Sequence, residues 1–357
     1  YSINCEFWTS RMRKLARVVK IDEIHGIPDA DAIEVATVGG WKVVVKKNEY
    51  KAGDLAVYFE IDSWIPHELA PFLTKAGQYP KVYNGVEGQR LKTIRLRGQL
   101  SQGLLMPIPQ SVYDGMKSQV ENNVIEDLDL TDILMIQKWE REIPSQLAGV
   151  SRGNFPSFIR KTDQERIQNL KKEYAKWQEE GVVWEMTEKL DGSSMTIYVN
   201  GDECGVCSRN LNLKESEENS FWRVAIRENL IDKIKSTDKN IALQGELVGP
   251  GVQGNKYNLS ELQFYLFDVY DIDNQVYYTP EQRWMLVLQL GLKHAPILSH
   301  ELNFKENEWT IESVLKNVEF KSTLNQQTEA EGVVFKSVDG KNSFKAISNK
   351  FLLKNDE

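Results

Sequence analysis

The chain has 357 residues, 41% of them apolar and 27% charged, with a formal net charge of −8. This is the composition of an ordinary globular protein of one large or two smaller domains, without a low-complexity tract. No apolar run approaches the ~18–20 residues that span a bilayer, and the net acidity argues against a non-specific nucleic-acid coat while leaving room for a local basic groove.

The opening stretch YSINCEFWTSRMRKL carries no apolar segment long enough for a signal peptide. Three cysteines argue against a disulfide framework, so a reducing intracellular compartment, cytoplasmic or nuclear, is expected.

Residues 12 to 140 read as short strands between turns. LARVVKIDEI, IEVATV, WKVVVK, LAVYFEI, LKTIRLR and GLLMPI are rich in β-branched and aromatic residues, with Gly, Pro, Asp and Asn between them. Such strand density predicts a small barrel, most simply of OB type. The tryptophans and tyrosines here, Trp41 and Tyr58 among them, fit a strand core better than base-stacking platforms. In LKTIRLRG the alternation places Arg95 and Arg97 on one face and Ile94 and Leu96 on the other. With Arg90 and Lys92 nearby, these cations form either a solvated strand face or a phosphate-contacting patch.

The stretch IQKWEREIPSQLAGVSRGNFPSF has Pro and Gly without periodicity and reads as a connection between domains. The expected division is 1–145 and 146–357. TDQERIQNLKKEYAKWQEEG predicts a helix, with Thr162 and Glu165 in capping-box spacing and Gly181 as its stop.

From Val182 strands dominate again: VVWEMTEKL, SSMTIYVN, CGVCSRN, IALQGELVG, FYLFDVYD, GVVFKS and SFKAIS. Helices are predicted near SFWRVAIRENLIDKI and at TPEQRWMLVLQL, the latter with Thr279 as N-cap and Pro280 in its first turn. The pattern is α+β with antiparallel sheets, without the Gly-rich loops of dinucleotide or P-loop folds.

The segment TEKLDGSS puts Lys189 before an Asp-Gly pair. K-x-D-G alone arises by chance in roughly one chain in ten of this length, and Asp-Gly is turn chemistry. Charged residues then bracket apolar strands repeatedly: SRN with Arg209, LQGELVG with Glu246, FYLFDVYD with Phe267, EGVVFK with Glu331 and Lys336, and SFKAISNKFLLK with Lys345. Cys204 and Cys207 form a C-x-x-C without a second pair, and His25, His67, His294 and His300 lack ligand spacing, so a structural role is expected for the cysteines.

In this order the six motifs resemble the covalent nucleotidyltransferase superfamily of ligases and mRNA capping enzymes. DNA ligases and capping enzymes of that superfamily carry an OB domain after the last lysine motif. Here twelve residues follow Lys345, and the barrel-like module comes first. The chain therefore resembles the ATP-dependent RNA ligases with an N-terminal OB-like β-barrel and a C-terminal adenylyltransferase domain. RKTDQERIQNL and LRGQLSQGLLMP are similar to that family as well.

The resemblance implies Lys189 as nucleophile toward ATP, with Lys336 and Lys345 on the α-phosphate. It implies Asp191, Glu246 and Glu331 as carboxylates for Mg²⁺ or Mn²⁺, acting largely through water. Glu188 would contact the adenine amino group, Phe267 would stack on the adenine, and Arg209 would meet the nucleotide or RNA. RNA carrying 3′-OH and 5′-phosphate ends, in a nicked duplex, is the implied partner in RNA repair. No membrane association and a monomer are expected. Alternatives are a DNA ligase or GTP-using capping enzyme, and a non-catalytic nucleic-acid-binding protein.

Two physical expectations follow. Nearby positive charge and desolvation should lower the Lys189 pKa. Glu331 and Lys336, an odd number of residues apart, can serve one site only if Glu331 precedes its strand or a bulge intervenes.

Overall fold

The structure is a computed structural model that describes residues 13–115, 125–161 and 163–355. The chain divides into two units. The first runs to Arg141 and takes in Gln168–Lys171 and the residues from Leu353 onward; the second comprises Glu142–Ile167 and Lys172–Leu352.

In the first unit, Ala16–Lys20, Leu55–Phe59 and Leu104–Met106 form one antiparallel sheet, and Glu23–Ile27, Ala30–Val38 and Trp41–Lys46 form another. The alternation in WKVVVK becomes burial: Trp41, Val43 and Val45 are buried, while Lys42 and Lys46 are exposed. Trp41 and Tyr58 are both core residues, with ring centroids 5.8 Å apart. The Trp41 indole N–H donates to Asn169 Oδ1 at 2.7 Å, and the Tyr58 hydroxyl donates to the Gln102 carbonyl at 2.9 Å.

The basic stretch departs from the sequence reading. Thr93–Leu96 pairs with Gln99–Gln102, and Arg97 sits in the turn between them at φ +50, followed by Gly98 at φ +80. Two successive positive-φ residues match the twist of a tight hairpin, so Arg97 does not share a strand face with Arg95. Ile94 and Leu96 do not face a core either: they are 44% and 40% exposed, whereas Thr93 is buried. Arg90 is engaged elsewhere, donating from Nε and Nη2 to Asp62 Oδ1 at 2.9 and 2.6 Å. Its guanidinium also lies 3.7 Å from the Trp139 ring centroid. Lys92 is half-buried and Arg95 exposed.

The second unit contains two antiparallel sheets. The larger runs in the order Ser151–Asn154, Leu211–Leu213, Glu203–Cys207, Ser193–Asn200, Ile241–Val248, Gln263–Asp271, Val276–Tyr277. The smaller runs Ile297–Asn303, Val183–Lys189, Gly332–Ser337, Ser343–Ile347. Helices Ser220–Arg227, Leu230–Lys235 and Pro280–Leu290 cover one face of the larger sheet, burying Ile197, Leu243, Leu247, Leu266 and Val269. Asn229, in the left-handed region, separates the first two. Thr279 caps the third with a complete capping box. An aromatic cluster of Tyr174, Trp177, Trp184, Phe304, Phe335 and Phe344 packs on one face of the smaller sheet.

The helix predicted from Thr162 begins only at Lys171 and ends at Glu180, with Gly181 at φ +65. Thr162 lies outside the described residues. Glu165 does not cap: its carbonyl accepts from the Lys345 N–H at 2.9 Å, and Arg166 bridges Lys345 in parallel. The backbone here is satisfied by a sheet edge, which competes with helix formation. Among the described residues no helix is long and apolar enough to cross a membrane.

Candidate active site

The strand Val183–Lys189 pairs along its length with Gly332–Ser337, Lys189 opposite Gly332 and Glu185 opposite Lys336. Period-2 alternation puts Glu185, Thr187 and Lys189 on one face, and Trp184, Met186 and Glu188 on the other. Trp184 confirms the direction, its ring centroid 5.0 Å from that of Phe344 in the aromatic cluster. After Lys189 the chain leaves the smaller sheet and enters the larger one at Ser193. Gly192 marks the crossing. A Cβ there would lie 2.2 Å from the Leu247 carbonyl oxygen, so the glycine allows two backbones to approach. The Asp-Gly pair serves this sheet-to-sheet crossing rather than a tight turn.

Lys189 Nζ donates to both carboxylate oxygens of Glu331 at 3.1 Å. Glu331 immediately precedes the strand Gly332–Ser337, which removes the parity conflict with Lys336. Gly332 permits this entry, since a Cβ would lie 2.2 Å from the Ala346 carbonyl oxygen. Glu246 comes from the larger sheet, opposite Ser194. Asp191 is positioned twice by a segment with no sequence periodicity, GPGVQGNKYN. Its backbone N–H donates to the Tyr257 oxygen at 2.6 Å, and its carboxylate pairs with Lys256. Sequence reasoning missed Lys256 and Tyr257, because a glycine-rich loop gives no pattern that points at a site.

The electrostatics reverse the expected lysine shift. Burial alone would lower the Lys189 pKa, but Glu331, Glu246 and Asp191 outweigh it and hold the amine above the ordinary lysine value. The amine sits among carboxylates, not among the other lysines, and so is an ion-paired ammonium. Burial pushes Glu246 up to about 8, with Glu331 and Asp191 adding to the push against the attraction of Lys189. The three carboxylates thus crowd around Lys189, with Lys256 paired to Asp191 and Lys345 acting on Glu331. That donor set of hard oxygens fits a divalent cation such as Mg²⁺ or Mn²⁺. Among the described residues no three His, Cys, Asp or Glu side chains are grouped as direct metal ligands.

The remaining predicted residues divide. Lys345 lies on the same face as Lys336, opposite Val334, and its charge acts on Glu331; its Nζ donates to Asp163 Oδ1 at 3.2 Å. Lys336 is buried and donates to the Phe267 carbonyl and to Asp268 Oδ1, the latter at 2.7 Å. Phe267 packs against an apolar cluster of Leu190, Val248, Tyr257 and Ala295. Glu188 is buried on the face opposite Lys189, where its carboxylate accepts from the Ser322 hydroxyl at 2.7 Å and the Thr323 N–H at 2.8 Å. Arg209 is exposed in the turn between Glu203–Cys207 and Leu211–Leu213. Cys204 and Cys207 are free thiols, and burial pushes the Cys207 thiol up to about 12, which keeps it protonated and unreactive at neutral pH.

A lysine at a sheet crossing, acted on by three carboxylates, lies in a unit that matches a known ligase family. The RNA ligase family model matches residues 182–347, and an OB-fold domain model matches residues 15–108. Naegleria gruberi RNA ligase with PPi is 45% identical at a TM-score of 0.85, covering 97% of this chain and 100% of that one. A mutant of the same ligase with ATP and Mn is 45% identical at a TM-score of 0.86 over 97% and 100%. Another mutant, with AMP and Mn, is 45% identical at a TM-score of 0.86 over 95% and 98%. A search of the curated proteins found no match. The chain belongs to the RNA ligase family.

Proposed function

We propose that the protein is an ATP-dependent RNA ligase that seals 3′-OH and 5′-phosphate ends through a lysyl-AMP on Lys189. The observation that carries the reading is the placement of the Lys189 amine among Glu331, Glu246 and Asp191. In the first step the Lys189 nitrogen attacks the α-phosphorus of ATP, a P–N bond forms, and pyrophosphate leaves. The AMP then passes to an RNA 5′-phosphate, freeing the lysine. A 3′-OH attacks that activated phosphate, a phosphodiester forms, and AMP leaves.

The chain's own residues prepare the first step. Lys189 must lose a proton, which its carboxylate neighbours oppose. Asp191, Glu246 and Glu331 would hold a divalent cation through water. When bound, that cation offsets their charge, lowers the lysine pKa and stabilises charge on the triphosphate. Lys345 supplies positive charge toward the α-phosphate. Phe267 offers its ring to the adenine. Glu188, with acceptor lone pairs beyond the two bonds it makes, takes the adenine amino group. Arg209 serves the nucleotide or the RNA strand. Lys92, Arg95 and Arg97 offer the first unit a phosphate-contacting surface, while Arg90 braces it through Asp62. The substrate is a nicked duplex, the context is RNA repair, and the working form is a monomer.

A sealing assay on nicked duplexes, each strand varied between RNA and DNA, tests the reading. Sealing of RNA 3′-OH nicks with ATP supports it. Sealing of none, or equal use of GTP, overturns it.

A further inference from the structure

A second buried charge cluster occupies the same sheet face as Lys189. Arg283, fully buried on the helix Pro280–Leu290, donates from Nη1 and Nη2 to the Glu185 carboxylate at 3.1 and 2.5 Å. Glu185 is the cross-strand partner of Lys336. Lys336 in turn donates to Asp268 and to the Phe267 carbonyl. His294 closes the cluster, its Nε2 3.0 Å from Arg283 Nη1 and its Nδ1 2.6 Å from the Ala295 carbonyl oxygen. Burial and then Arg283 hold His294 down at about 3, so the ring is neutral, donates from Nδ1 and accepts from Arg283 at Nε2. Two cations face two anions, and the cluster balances.

The strand that carries Phe267 is irregular at this point. Gln244 faces Asp268 while Gly245 faces Leu266, so Phe267 is the extra residue of a bulge. Leu266 and Val269 both pack in the helix-covered core, although an odd spacing would place them on opposite faces of a regular strand. The bulge therefore puts Phe267 and Asp268 together on the other face. Lys336 bonds to both, and its ammonium lies 5.7 Å from the Phe267 ring centroid. Were Lys336 to reach for a phosphate, it would leave Asp268 buried without its cation.

We propose that Lys336, locked by Asp268 and backed by Glu185 and Arg283, is a positioning residue that fixes the bulge and so aims the Phe267 ring at the nucleotide base. The inference rests on Phe267 being the base platform, as read above. Lys345 is then the lysine that serves the α-phosphate. The cluster links the two sheets at the residue that meets the base, and base recognition depends on a charge network that never touches the nucleotide.

The test is a double-mutant cycle on lysyl-AMP formation, with Lys336→Met, Phe267→Leu and both together, measuring KM for ATP and kcat separately. Phe267→Leu and Lys336→Met each raise KM about tenfold, with kcat within about threefold of the native value. In the Phe267→Leu background, Lys336→Met adds less than about twofold, because the two act through one contact. Lys336→Arg, which keeps the Asp268 pair, restores most of the native KM. If Lys336→Met does not fold, Lys336→Met/Asp268→Asn, which removes both charges, takes its place in the cycle. A drop in kcat of about a hundredfold at saturating ATP, or effects that multiply in full, overturns the proposal and returns Lys336 to the phosphate. Unchanged kinetics in Lys336→Met overturns it alone. An unchanged KM in Phe267→Leu overturns the base-platform reading with it, and a native protein that forms no lysyl-AMP overturns the ligase reading as a whole.

Discussion

Lys189 and Lys336 stand on adjacent strands, on one face, each bonded to a carboxylate at 3.1 and 2.7 Å. Around Lys336 the charges cancel: Arg283 and Lys336 against Glu185 and Asp268, with His294 neutral. Around Lys189 two ammoniums, Lys189 and Lys256, meet three carboxylates once Glu246 ionises. Those three act on Lys189, and buried Glu246 is pushed up to about 8. A balanced buried cluster is complete and holds its members still. An unbalanced one is complete only when something else binds. The same side chain on neighbouring strands thus sits in a closed cluster in one place, and in the other beside a carboxylate that takes either a proton or a cation.

Breaking each side of that comparison should give different signatures. Lys189→Met should abolish sealing, a loss of about 10⁴-fold or more, and should also cost stability, because Glu331 loses the ammonium bonded to it; a gel assay on a nicked RNA duplex and a thermal melt read both. Arg283→Met should spare sealing at saturating ATP and show itself in lost stability and a raised KM for ATP. It leaves Glu185 buried without its partner and should cost about 3–5 kcal/mol of stability, and Arg283→Met/Glu185→Leu should recover most of it; denaturant unfolding measures both. Equal losses in the single and double variants would contradict the balanced-cluster account.

Glu246→Gln removes a carboxyl that can ionise toward a bound cation and should lower lysyl-AMP formation about 10–100-fold, in the range of groups that act on a metal through its outer shell. The same residue sets a pH signature. Its pKa is 4.5 unfolded and about 8 in the fold. The protonated form stabilises the fold in full below pH 4.5, and that contribution is lost as pH rises through about 8. Metal-free protein should therefore melt at lower temperature at pH 8.5 than at pH 6. Added Mn²⁺ should raise the melting temperature more at the higher pH, because proton and cation compete. Glu246→Gln should flatten the melting profile; an unchanged slope would assign the effect to another group.

The smallest effects belong to the first unit. Arg95→Ala should weaken RNA binding a few-fold and reduce its salt dependence by about one ion. Arg90→Met should cost about 1 kcal/mol of stability through the Asp62 pair and leave RNA affinity unchanged, as salt titrations by fluorescence anisotropy would show.

Much of the candidate site was legible because its residues sit at the ends of short, strongly patterned strands. Lys189, Asp191, Glu246, Glu331 and Lys345 announce themselves by order and by flanking apolar runs. The N-cap at Thr279 is equally local and was read correctly. What failed was what depends on pairing. Arg97 was placed on a strand face, but a hairpin turn took it. The helix was started at Thr162, but a sheet edge claimed Glu165 and Arg166. The bulge at Phe267 leaves no trace in the alternation of FYLFDVYD, and Glu185, Arg283 and His294 meet only after two sheets and a helix pack. The sign of the Lys189 shift was misread for the same reason, since it depends on which charges arrive beside it.

The central claim is that Lys189 is the amine that takes the AMP. Mass spectrometry after incubation with ATP and Mn²⁺, followed by peptide mapping, tests it most directly. The account predicts one adenylyl adduct per chain, carried by the peptide that contains Lys189 and discharged by pyrophosphate. An adduct on Lys336 or Lys345, or an unmodified chain under conditions that seal RNA, would contradict it.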